Sequence, residues 1–137
     1  MKFNTFLAIA AFLAALYGLG FLLIPAQTVG LYGITLDING LFVGRYLGSA
    51  FLGVAVLTWM ARSLSSQEAL RPIILGDFVI SLTGLVVAVW DAFAGDGNAL
   101  SWVTVVIYLF LSLGFGYFQF VASPSSGLLR SGGGIRI

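Results

Sequence analysis

Cysteine and histidine are both absent from the 137-residue chain. Without cysteine, disulfides, thiolate catalysis and thiolate-ligated zinc or iron–sulfur sites are excluded. Without histidine, histidine-ligated haem, the usual zinc and copper sites and imidazole proton transfer are excluded as well. Acid–base and nucleophilic chemistry would have to come from Asp, Tyr or Ser side chains. The sequence therefore predicts a protein that is not an enzyme and that carries no metal or other cofactor.

Charge is also scarce, since 8% of the residues are charged and 60% are hydrophobic, whereas a soluble domain usually carries about a quarter charged residues. The apolar residues form four uninterrupted blocks, at 3–24, 41–61, 73–93 and 99–122. A helix of about 20 residues crosses a hydrocarbon core of about 30 Å. We predict an all-α membrane protein, a four-transmembrane-helix antiparallel bundle over residues 1–122, followed by a Gly/Ser-rich C-terminal tail at 123–137. The first block is longer than the apolar part of a signal peptide, about 7–15 residues, and is predicted to be a retained helix.

The few basic residues predict an orientation, because Lys and Arg near helix ends favour the cytoplasmic side. With four spans, only Arg45 lies toward the opposite side, so both termini are predicted to be cytoplasmic. A net charge of +1 with dispersed arginines gives no nucleic-acid patch. The basic residues that share the predicted cytoplasmic side are Lys2, Arg62, Arg71, Arg130 and Arg136.

Small residues recur at four-residue spacing in the first two predicted helices, and such spacing is typical of close helix packing in membranes. The partner surface is either internal or on another subunit, and chance is the alternative, because small residues are common in membrane helices. The two ladders consist of Ala10, Ala14 and Gly18 in the first helix and Gly40, Gly44 and Gly48 in the second.

The third predicted helix carries a polar and small stripe. At about 100° per residue, its members fall within an arc of about 80°. An intramembrane carboxylate normally faces protein or a cavity, so this stripe is predicted to face the bundle interior. The stripe consists of Asp77, Ser81, Gly84, Ala88 and Asp91.

Arg45 and Asp91 are predicted to lie within about 5 Å of each other in height along the bundle. We predict that they form an ion pair, with Asp37 as a second candidate for Arg45. The pair is either a structural contact that fixes helix register or an anion or substrate gate; the structural interpretation is preferred.

Asp77 lies about 16 Å from the level of Arg45, among three candidate hydrogen-bond partners, Thr58, Tyr117 and Gln119. Either it is a structural group, or it is a proton or cation site, because a buried unpaired carboxylate is costly in a medium of low dielectric constant.

Four short motifs carry a family resemblance: Leu23-Ile24-Pro25, Leu31-Tyr32-Gly33-Ile34, Gly44-Arg45-Tyr46-Leu47-Gly48 and Trp59-Met60-Ala61-Arg62. With them the first half of the chain resembles small uncharacterised four-helix bacterial membrane proteins. The resemblance implies the same fold and a bacterial cytoplasmic (inner) membrane location. It implies no activity.

Function is less constrained than fold. The leading expectation is a non-enzymatic accessory or scaffold subunit that packs against other membrane protein subunits or itself, surrounded by membrane lipids. One alternative is a small oligomeric transporter or channel that uses Asp77. Another is a lipid- or quinone-binding protein with an aromatic groove formed by Tyr108, Phe110, Phe115 and Tyr117.

Overall fold

The computed structural model describes residues 1–95 and 97–121, and these residues fold into helices joined by short connections. Four helical segments are long and apolar enough to cross a membrane, which makes the chain a multi-pass membrane protein and confirms the predicted four-helix fold. The predicted tail at 123–137 lies outside the described residues. The elements are α1 (Phe3–Leu23), α2 (Pro25–Gly30), α3 (Ile38–Ala61), α4 (Gln67–Ala94), α5 (Leu100–Gly116) and a final π-helical turn (Tyr117–Val121).

The helix ends differ from the sequence prediction where polar residues flank the apolar blocks. α3 begins three residues earlier than predicted, because Asp37 Oδ1 accepts a hydrogen bond of 2.8 Å from the backbone N–H of Gly40 and caps the helix. α4 begins at Gln67 rather than 73. Pro72 lies in its second turn, and because it has no backbone N–H, the helix lacks one backbone hydrogen bond there. Pro25 ends α1, as predicted, and it also starts the short helix α2.

Two helical hairpins make up the bundle: α1 packs most closely against α3, and α4 against α5. The α1–α3 contact is closest at Gly18 and Gly48, because a Cβ atom added to Gly48 would lie 2.5 Å from the backbone N of Leu22 and 2.7 Å from the carbonyl O of Gly18. In the second hairpin, the ring of Tyr108 rests on Gly84. Because Gly48 and Gly84 have no side chain, both close approaches are possible.

The other small residues of the two ladders serve different contacts. Gly44 is buried and lies against Pro25. Gly40 lies against Leu36 of the loop that precedes α3, because the helix cap folds that loop back over its first turn. Ala10 is buried in the interior, and Ala14 faces the space between the hairpins.

We call the end that holds Lys2, Arg62 and Arg71 the basic end. There Arg62 Nε donates a hydrogen bond of 3.2 Å to the carbonyl O of Asn4, which joins the start of α1 to the end of α3. Next to it lies the aromatic cluster, defined as Phe3, Phe6, Phe115 and Phe118. The ring centroids of Phe6 and Phe115 are 4.8 Å apart, those of Phe3 and Phe118 5.0 Å. The hydrophobic core that includes Phe6 and Phe115 is completed by Leu7, Ala10, Ala61, Leu70 and Ile74.

The opposite end, which we call the cap end, is covered by α2 and the segment that follows it. Asn98 Nδ2 donates a hydrogen bond of 2.9 Å to the carbonyl O of Leu31, and Asn98 Oδ1 accepts one of 2.9 Å from the N–H of Leu100. One side chain thus holds the cap segment, which we define as residues 31–37 between α2 and α3, and also supplies the first turn of α5 with an acceptor. Asn98 thereby connects the two hairpins at the cap end, as the aromatic cluster does near the basic end.

Candidate functional site

A cavity of about 300 Å³ lies between the two hairpins near the cap end, and we call it the cap cavity. Residues from both hairpins and from the cap segment line it. Its polar groups are Asp91, Ser101, Thr104 and the tyrosine hydroxyls, and the remaining wall is apolar. Five aromatic side chains contribute to that wall: Tyr17, Phe21, Tyr32, Phe51 and Tyr108.

A chain of three hydroxyl groups ties the wall of the cap cavity together. The hydroxyls of Tyr17 and Tyr32 are 2.9 Å apart, and the Tyr32 hydroxyl is 2.8 Å from Thr104 Oγ1. These residues belong to α1, the cap segment and α5, so the chain joins both hairpins. These hydrogen bonds hold the rings of Tyr17 and Tyr32 in place before any ligand arrives.

A second, smaller cavity of about 50 Å³ lies deeper in the bundle, and we call it the Asp77 cavity. Tyr17, Phe51 and Tyr108 line both cavities. The two spaces are therefore neighbours on either side of these three rings. The Asp77 cavity ends at Phe115 of the aromatic cluster, which fills the bundle toward the basic end.

Asp77 is 7% exposed, and Thr58 Oγ1 donates a hydrogen bond of 2.8 Å to its Oδ2. Thr58 is therefore the partner among the three candidates that the sequence offered; it is 1% exposed. Ser81, one turn along α4, donates its hydroxyl to the carbonyl O of Asp77 at 2.7 Å. The Asp77 carboxyl group thus has one hydroxyl donor, and its remaining acceptor capacity faces the small cavity.

The polar stripe of α4 faces the interior along its whole length. Asp77, Ser81 and Ala88 are buried, and Gly84 lies under the Tyr108 ring. Asp91 is half-buried and lines the cap cavity. The stripe therefore connects the Asp77 cavity to the cap cavity along one helix.

The structure does not bring Arg45 and Asp91 together: among residues 1–95 and 97–121 it contains no ion pair between them, nor between Arg45 and Asp37. Leu47 faces the cap cavity, and Arg45, two residues earlier, points about 200° away around α3. Asp37 instead caps α3. Arg45 is exposed, about 10 Å along α3 from its first residue, so its side chain can extend to the membrane surface.

The four aromatic residues predicted to form a groove lie in different parts of the bundle. Tyr108 lines both cavities, and Phe115 lines the Asp77 cavity as part of the aromatic cluster. Phe110 is 38% exposed with its ring 5.6 Å from that of Phe6, and Tyr117 is 50% exposed.

Sequence reasoning missed Tyr17, Tyr32 and Thr104, because their hydroxyls come from positions 15 and 72 residues apart. A usable signal was the Tyr32 hydroxyl, which is the polar side-chain group in the short run Leu31-Tyr32-Gly33-Ile34.

Within the described part of the chain, no group of three Asp, Glu, His or Cys side chains is placed to hold a metal ion. Comparisons with protein-family models, with curated proteins and with solved structures find no match to the chain. The resemblance to small bacterial four-helix membrane proteins therefore stays a prediction. The geometry of the two cavities carries the functional argument.

Proposed function

We propose that this chain is a non-enzymatic membrane protein that binds an amphipathic small molecule in the cap cavity. The observation that carries the proposal is the cavity itself, about 300 Å³ between the hairpins. Ligand sites in proteins typically measure about 300–1,000 Å³ and combine an apolar wall with a few placed polar groups.

The lining favours a molecule with an apolar body and a polar group. Aromatic side chains offer the apolar body a large contact area, and the Tyr17–Tyr32–Thr104 hydroxyl chain offers hydrogen bonds. Three hydroxyls joined by two hydrogen bonds leave one donor over, which suits an acceptor atom on the ligand or a bound water. Among the alternatives from the sequence, this proposal agrees best with the lipid- or quinone-binding one.

Native mass spectrometry of the protein released from lipid nanodiscs tests the proposal. The wild type is expected to carry a small bound molecule. Ala88→Phe, which fills the cap cavity, is expected to lose it. Val86→Phe is the matched control, because residue 86 is on the same helix and is 65% exposed on the outside of the bundle. A wild-type protein that carries no small molecule, from native membranes or after incubation with a lipid extract, would refute the proposal. Equal retention by both variants would also refute it.

A second candidate function is transport coupled to Asp77, and the specific observation that favours it is the buried carboxyl group beside a cavity. Flux of protons or alkali cations into reconstituted vesicles tests it. Asp77→Asn keeps an acceptor oxygen for Thr58 and removes the charge. Transport requires a measurable wild-type flux that Asp77→Asn abolishes, and a flux unchanged by this substitution excludes Asp77 as the coupling site.

The accessory or scaffold role stays a prediction, as do the bacterial inner membrane and the cytoplasmic placement of both termini. Exposed apolar side chains over much of the bundle suit either lipid or a protein neighbour. Crosslinking in native membranes distinguishes the two: a partner subunit or a second copy of the chain is expected from the accessory role. Recovery of an uncrosslinked monomer would count against it.

A further inference from the structure

The cap cavity contains a carboxylate without a basic neighbour. Asp91 lines it, and no lysine or arginine does so among the described residues. The nearest basic candidate by height, Arg45, points away from the cavity on α3. A half-buried carboxylate in a largely apolar space is stabilised by a positive charge, and the chain does not supply one there.

The charge distribution over the described residues also favours a positive charge in the cap cavity. Lys2, Arg62 and Arg71 lie at the basic end, which the aromatic cluster separates from the cap cavity. Toward the cap end, the described carboxylates are Asp37 and Asp91, and Arg45 is the one described cation. The electrostatic potential in the cap cavity therefore favours a cation over an anion.

Aromatic rings form a large part of the wall. The centroids of Tyr17 and Phe21 are 6.4 Å apart with the rings nearly parallel, and those of Tyr17 and Phe51 are 6.2 Å apart. Tyr32 and Tyr108 complete the aromatic lining. Faces of aromatic rings attract cations, and cages of such rings recognise quaternary ammonium groups in other proteins.

These three features coincide in one cavity whose wall the hydroxyl chain holds in place. We propose that the cap cavity selects a lipophilic organic cation, such as a quaternary ammonium compound, with Asp91 as counter-ion and the aromatic rings as the cage. This inference rests on the proposed binding function and narrows its ligand class. A compact inorganic cation would leave the apolar wall uncovered. A neutral quinone-like molecule would leave Asp91 without a partner.

Two probes of nearly equal shape separate charge from hydrophobicity: phenyltrimethylammonium, a cation, and tert-butylbenzene, its neutral carbon analogue. Binding is measured on purified full-length protein in nanodiscs by intrinsic fluorescence and by calorimetry, with empty nanodiscs subtracted. We expect the cation to bind wild type about tenfold more tightly than the neutral analogue, or better. Asp91→Asn is expected to weaken binding of the cation about tenfold and to leave tert-butylbenzene unaffected. The matched control is Glu68→Gln, an exposed acid in the first turn of α4 at the other end of the bundle.

The outcomes are distinct. If tert-butylbenzene binds wild type as tightly as the cation, the charge selectivity is wrong while cavity binding stands. If Asp91→Asn and Glu68→Gln weaken cation binding equally, or neither does, Asp91 is not the counter-ion. If neither probe binds, the inference fails, and the search for a native ligand by mass spectrometry decides the wider proposal separately. The two-probe comparison on wild type needs no variant, so it stands even if Asp91→Asn does not fold.

Discussion

The two ends of this bundle are built differently although the same four long helices run through both. At the basic end, the aromatic cluster and its aliphatic neighbours fill the interior, and Phe6 is 2% exposed. At the cap end, a half-open cavity of about 300 Å³ lies between the hairpins, bordered by hydroxyls and Asp91. Hydrophobic composition alone does not distinguish these ends. The difference is that the inward-facing rings pack against each other at the basic end and line a cavity at the cap end.

Removal of a buried ring should therefore lower stability by different amounts at the two ends. At the basic end it should give the largest effect of the substitutions proposed. Phe6→Ala should lower the free energy of unfolding by about 3 kcal/mol, because it leaves a cavity among Phe110, Phe115 and Phe118. We take the lower end of the usual range, because lipid rather than water is the alternative surrounding. Phe51→Ala at the cap cavity should cost less than half as much. Denaturation in mixed detergent measures both, and equal losses would contradict the comparison.

The close backbone contact between α1 and α3 at Gly48 gives the next largest expected effect on stability. Gly48→Ala should destabilise the protein by about 1–3 kcal/mol, because the new Cβ atom would press on the α1 backbone at Gly18 and Leu22. Gly53→Ala, on the same helix, is the control, since no atom lies within 4 Å of its added Cβ. It should be neutral or stabilise by up to about 1 kcal/mol. If Gly48→Ala and Gly53→Ala unfold at the same temperature, the backbone contact at Gly48 does not stabilise the α1–α3 hairpin.

The hydrogen bond at the boundary between the two ends should have a smaller effect. Thr58→Val keeps the shape of the side chain and removes the donor to Asp77, which should cost about 1–2 kcal/mol because a buried acceptor loses its partner. Asp77→Asn should cost less, since an acceptor oxygen remains. A double-mutant cycle of Thr58→Val with Asp77→Leu, which removes the acceptor, measures the coupling, and additive losses from these two substitutions would show that the bond contributes nothing.

A change of opposite sign is expected at Ser112, the smallest effect. Its Oγ is buried and has no hydrogen-bond partner in the described structure. Ser112→Ala should therefore leave stability unchanged or raise it by up to about 1 kcal/mol. The control is Ser81→Ala, which removes a hydroxyl that donates to the Asp77 carbonyl O and should lower stability slightly. A clear loss from Ser112→Ala would mean that its hydroxyl has a partner in the membrane.

The sequence predicted the four long helices because each apolar block is long enough to form a complete span, and the burial of Asp77 and Ser81 because their spacing follows the helix period. It could not predict that Arg45 turns from Asp91. Counting residues gives the height of a side chain in the bundle, whereas its direction depends on which helices pair. The pairing of α1 with α3 turns Gly44 and Gly48 toward α1 and leaves Arg45 exposed. The hydroxyl chain was equally hidden, because only the folded structure brings Tyr17, Tyr32 and Thr104 together.

The central claim is that the cap end contains an accessible cavity bordered by hydroxyls and Asp91, and cysteine labelling tests it most directly, because the chain has no cysteine of its own. Single cysteines at Thr104, Val106 and Ala61 sample the cavity wall, the lipid-facing side of the same helix and the packed interior. Val106 is 63% exposed and Ala61 0% exposed. Maleimide reacts with thiolates, which need water, so in nanodiscs Thr104→Cys should react fastest although Val106→Cys is more exposed. Faster reaction of Val106→Cys, or a Thr104→Cys as inert as Ala61→Cys, would contradict the account.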